Sequence, residues 1–116
     1  MIDFKKLEKL GVDRCEAEKR FLGSQEFYLK CIFIYFRTND ISLLERLCAE
    51  KDWQKALKCV HALKGSAGNM AFRRLYEIYA QMTDDFRAGE PEKALELLPA
   101  AVELEKALRE AAGFTE

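Results

Sequence analysis

The residue types that can do chemistry gather in one stretch, Asp52 to Met70 (DWQKALKCVHALKGSAGNM), which holds the chain's single histidine, His61. A neutral imidazole is a good nucleophile near neutral pH, so a solvent-facing histidine can accept a group from a partner. Lys64 follows three residues on, with Gly65 and Gly68 close behind. A cation at that spacing disfavours the protonated ring, and it can pair with the negative charge of a ring carrying phosphate. The combination suits a histidine that takes up and gives away a phosphoryl group.

Other chemistries find less support. A serine-hydrolase or cysteine-protease site needs an acid and a nucleophile arranged around a histidine, and the sequence places neither beside His61. A metal site is poorly served by one histidine and dispersed thiols. The cysteines, Cys15, Cys31, Cys48 and Cys59, form no C-x-x-C pair. They read as reduced thiols acting as small apolar residues.

A helix must present His61. Ala56, Val60, Leu63, Ala67 and Met70 repeat at spacings of 4, 3, 4 and 3, the seam of a bundle helix. At about 100° per residue, Lys64 falls about 60° to one side of His61, Gly65 about 40° to the other, and Gly68 about 20° away. His61 thus lies off the seam, sharing its face with a lysine and two glycines. Glycine within a helix costs about 0.8–1.0 kcal/mol relative to alanine. Two on one face strip bulk from around the imidazole and leave it open to a large partner. The competing reading ends the helix at Gly65 and makes KGSAGN a loop. The unbroken seam through Ala67 and Met70 favours the helix.

The remaining elements also read as helices. Residues 3–10 suggest a short amphipathic helix ended by Gly11. Asp13 and Glu16 resemble a capping box, opening a helix to about Leu22. Ser24 can cap a helix over 25–37, which is apolar on nearly all sides and so predicted to be largely buried. Asn39 or Asp40 can cap a helix over 40–50, with Leu43, Leu44 and Leu47 on one face. Asp52 can cap the His61 helix, which opens with Trp53. Leu75, Ile78, Tyr79, Met82 and Phe86 share a face of a helix over 72–88, closed by Gly89. Pro91 suits the first turn of a last helix, 91–111, with Ala94, Leu98, Ala101, Val102 and Leu108 inside. Pro99 should kink or split it. The expected fold is all-α: an antiparallel up-and-down four-helix bundle of four long helices, with additional short N-terminal helices covering one end.

Length fits one domain over residues 1–116. Net charge is -1, which removes any global basic excess for nucleic acid. The start, MIDFKKLEKL, lacks a secretory apolar core. The longest apolar run, Cys31 to Phe36, is too short to span a bilayer. The expectation is a cytoplasmic monomer that binds neither nucleic acid nor membrane. An initiator-like Met1 and a short C-terminal tail fit a free-standing protein, and a domain cut from a larger kinase would look similar.

The run His61-Ala62-Leu63-Lys64-Gly65-Ser66-Ala67-Gly68-Asn69-Met70 closely resembles the phosphoacceptor helix of histidine phosphotransfer (HPt) domains, whose pattern is roughly H-x-L-K-G-[small]-[small]-x-x-[L/M/V]-G/A. An aromatic-rich helix near 25–36, the turn at Lys51-Asp52 and two trailing helices match the family's layout, so the resemblance covers residues 2 to about 111. It implies a bundle with His61 exposed near mid-helix, and a relay between receiver domains of response regulators and hybrid histidine kinases. By the motif, His61 is the phosphoacceptor, Lys64 the cation near the phosphoryl group, and Gly65 and Gly68 the low docking surface. The resemblance implies a phosphocarrier and not an enzyme with its own active site. No cofactor or metal is expected on this chain; the receiver brings its aspartate and a Mg²⁺ ion. Ala71 stands where the family often has glycine, a departure expected to matter little at a helix end. Gln81 and Thr83 are the candidates to hydrogen-bond the histidine, and Tyr28 or Phe72 to dock the receiver, core packing being the other role for both. The reading from a different class is a helical adaptor that binds partners without phosphorylation.

Overall fold

The computed structural model describes residues 3–114; the two ends of the expected 1–116 domain, Met1 among them, lie outside the described residues. Seven helices occur among the described residues: α1 Phe4–Lys9, α2 Arg14–Arg20, α3 Gln25–Thr38, α4 Ile41–Ala49, α5 Trp53–Asn69, α6 Arg73–Arg87 and α7 Pro91–Ala111. Strand-type pairing among them is limited to one isolated bridge, Val12 with Phe72.

Local chemistry sets where the helices begin and end. The side chains of Asp3, Asp13, Ser24, Asp40 and Asp52 accept from free amides in the first turns of α1 to α5. Pro91 opens α7 at a position where no amide is needed. The expected capping box at Asp13 is half formed. Its carboxylate takes the Glu16 amide at 3.1 Å, but its own amide donates to the Ala71 carbonyl at 2.9 Å. Six of these helices finish with an amide bonded back five residues, at 2.9–3.0 Å, as in Leu7–Val12, Glu18–Gly23, Leu47–Asp52 and Ala67–Phe72. That closure needs a left-handed residue just before the donor. Leu22, Lys51 and Ala71 fill it at φ of 55°, 56° and 62°. The departure at Ala71 is therefore not neutral: the position favours glycine, and alanine bears a strain of about 1 kcal/mol.

Four legs form the bundle. α5, α6 and α7 run up and down, with α4 packed against both α5 and α7 to close the ring. The first leg is not one long helix. Asn39 and Asp40 are extended, which breaks it into α3 and α4. The start of α3 is tied to the end of α5, where the Tyr28 hydroxyl donates to the Met70 carbonyl at 2.7 Å. α3 is also less buried than expected. Tyr28, Ile32, Tyr35 and Phe36 face the core, while Phe27 and Ile34 are exposed. In α7, Leu104 and Glu105 join Ala94, Ala101 and Leu108 in the interior, whereas Leu98 and Val102 are only half-buried. Pro99 does not split α7, which continues through it with the ring on the exposed side.

One acid lies inside. Glu105 Oε2 accepts from the Tyr35 hydroxyl at 2.8 Å and the Tyr79 hydroxyl at 2.6 Å. Burial pushes the carboxyl above its ordinary range despite both donors. Burial likewise pushes both phenols up, so they stay protonated as donors. No buried side-chain polar atom is left without a partner among the described residues.

Candidate functional site

α5 runs without interruption through the glycines to Asn69. Its seam is Ala56, Val60, Leu63, Ala67 and Met70, all buried. That register leaves His61 exposed near mid-helix, with Lys64 half-buried one turn on and Gly65 open. Lys64 enters no ion pair among the described residues.

The two glycines do different things. A Cβ at Gly65 would meet nothing within 4 Å, so its bare backbone leaves open space beside the imidazole. A Cβ at Gly68 would sit 3.0 Å from Cδ1 and 3.2 Å from Cε1 of Tyr76. Gly68 is small because a ring from α6 lies over it. The tyrosine, still 39% exposed, extends the His61 face sideways.

Neither Gln81 nor Thr83 reaches His61. The Gln81 amide donates to Asp85 Oδ1 at 3.0 Å, and the Thr83 hydroxyl turns back to the Tyr79 carbonyl at 2.7 Å. The residue beside the imidazole is Arg87, at the end of α6, whose Nη2 lies 3.5 Å from His61 Nδ1. Arginine can only donate, so this long contact is a hydrogen bond only when Nδ1 bears a lone pair. It leaves Nε2 as the ring nitrogen without a protein partner among the described residues. The site is thus an imidazole flanked by two cations from two helices. Sequence reasoning missed Arg87 because the contact depends on the register of α6 against α5.

Tyr28 and Phe72 do not dock anything from outside. Each is 1% exposed, Tyr28 holding the end of α5 and Phe72 packed on Tyr35 and Phe36. Apolar surface is instead exposed at Leu22, Phe27, Ile34, Leu43 and Tyr76. The four cysteines are free thiols, and burial pushes those of Cys48 and Cys59 up. Among the described residues no three histidine, cysteine or acidic side chains group to hold a metal ion. No helix there is long and apolar enough to cross a membrane.

Comparison with known proteins gives one family. The Hpt domain model matches residues 32–113, from the middle of α3 past the end of α7. No curated protein and no solved structure matches the chain.

Proposed function

Because the chain belongs to the Hpt domain family, we propose that it is a phosphorelay carrier that takes a phosphoryl group on His61 from a receiver-domain aspartate or a hybrid histidine kinase and hands it to a response regulator. Family membership carries phosphotransfer in two-component signalling as the general role. The particular relay through His61 rests on one observation: the imidazole stands exposed at mid-helix, between Lys64 and Arg87 and beside the open space at Gly65.

The chemistry follows from this arrangement. A lone pair on an imidazole nitrogen attacks the phosphorus of an aspartyl phosphate. The acyl-phosphate P–O bond breaks, and the aspartate leaves as a carboxylate. Nε2 is the nitrogen free to attack, which requires the proton on Nδ1 at that moment. Once Nε2 carries phosphate, loss of the Nδ1 proton to water leaves a lone pair there, and Arg87 is placed to donate to it. Lys64 supplies charge on the other side, pairing with the phosphoryl oxygens. The chain contributes a positioned nucleophile and cations; the Mg²⁺ ion and the acid belong to the receiver. In this reading it works as a cytoplasmic monomer and a phosphocarrier, not as an enzyme.

The test is transfer itself. Incubated with receiver domain charged by acetyl phosphate, the protein should gain an acid-labile, alkali-stable label. His61→Gln should gain none. Equal labelling of both proteins would overturn the relay and leave a helical adaptor.

A further inference from the structure

A groove of about 520 Å³ opens beside the His61 face, between α2 and the C-terminal half of α5. Lys64, Gly65 and Gly68 belong to both the groove and that face, so the two surfaces are continuous. The far wall is α2, which contributes Glu16 and Arg20, with Asp13 at its cap. This wall lies outside the matched residues 32–113.

The wall is fixed in place. The Asp13 amide donates to the Ala71 carbonyl at 2.9 Å, and the Arg74 amide to the Gly11 carbonyl at 3.2 Å. Arg74 Nη1 donates to the Lys9 carbonyl at 2.9 Å, and Arg73 Nη1 lies 3.4 Å from Asp13 Oδ2. Gly11 is packed so closely on Arg74 that a Cβ there would clash with its Cβ. The α1–α2 loop is thereby riveted to the α5–α6 loop, and α2 is held at a set distance from Lys64. A preformed wall of this kind lets a partner bind without an ordering cost.

The groove's charges indicate what enters it. Arg73 is paired with Asp13 and Glu77, and Arg20 with Glu16. Lys64 remains as the cation in no ion pair among the described residues, next to the exposed ring of Tyr76. That suits a protein surface offering an apolar side chain to Tyr76 and an acceptor to Lys64. We infer that this groove is a second contact for the same receiver that exchanges phosphate with His61, and that α2 decides which receivers fit. The inference rests on the phosphorelay reading above.

The experiment separates the two. A panel of purified receivers, each charged with acetyl phosphate, is titrated against wild type, a charge-inverted wall (Glu16→Arg with Arg20→Glu, which keeps the pair) and Tyr76→Ser. Labelling by the small donor phosphoramidate, which needs no docking, is measured alongside, with melting temperature as the folding check. Tyr76→Ser should raise the receiver concentration for half-maximal transfer about tenfold, an effect on binding and not on the maximal rate. The inverted wall should reorder the receivers by preference, with phosphoramidate labelling unchanged in both variants. Unchanged half-saturation and unchanged ranking, with wild type labelled normally, would overturn the groove and leave the relay standing. If phosphoramidate labels wild type and no receiver does, the relay reading falls and the groove with it.

Discussion

The Glu105 carboxyl and the His61 imidazole belong to helices of one bundle and are treated in opposite ways. Glu105 is enclosed, held by two phenol donors, and displaced by burial from its ordinary titration range. His61 is exposed, flanked by cations and bordered by empty space over Gly65. α6 serves both, giving Tyr79 to the interior and Arg87, two turns on, to the surface. The interior group is enclosed and held by two donors, and it serves to hold the fold. The surface group is under-partnered and is left for something to arrive. Function follows from what the fold leaves unsatisfied, and stability from what it satisfies.

The largest test of that contrast is His61→Gln. Transfer from a charged receiver should fall at least a hundredfold, while unfolding free energy changes by no more than about 0.5 kcal/mol, as for other exposed substitutions. Urea denaturation and a labelling assay on one preparation check both. Tyr79→Phe should do the reverse. Removing one donor from a buried acid costs about 1–3 kcal/mol, read as a lower urea midpoint, with phosphoramidate labelling of His61 intact.

The pH dependence sharpens the comparison. Burial raises Glu105 in the folded state, so the unfolded chain gives up this proton at lower pH. Its contribution to stability is greatest below the ordinary carboxylate range and declines as pH rises through the folded value. Glu105→Gln should flatten that part of the stability-versus-pH curve in urea titrations from acid to neutral pH. Smaller still is the pair of glycines. Gly65→Ala meets no neighbour and should stabilise by up to about 1 kcal/mol, with slower transfer if the bare backbone matters. Gly68→Ala should return less, because the Tyr76 ring must move.

The sequence showed the His61 helix well because a single period runs through it. The five seam residues carry the register past both glycines, and that register alone turns His61 outward. Asp13, Ser24 and Asp52 were readable as caps because capping is local. Contacts between elements were not. Arg87 lies 26 residues from His61 and reaches it only through the packing of α6 on α5. Nothing in the spacing of the last helix marks Glu105 as buried, since its partners Tyr35 and Tyr79 come from other helices. Tyr28 and Phe72 could not be told from docking aromatics, since a core face and a binding face use the same side chains. Leu22 and Lys51 gave no warning of left-handed backbone, for which glycine is the usual sign.

Those strained joints have a practical meaning. Leu22 is 89% exposed and buries almost nothing, yet it holds a backbone shape that suits glycine. Leu22 and Lys51 each offer about 0.5–1 kcal/mol to whoever exchanges them for glycine, a reserve set aside in the hinges of the chain. Neither lies in the groove beside His61, which Ala71 does line. A hardier version of this protein can therefore be engineered at its corners, with its working surface untouched.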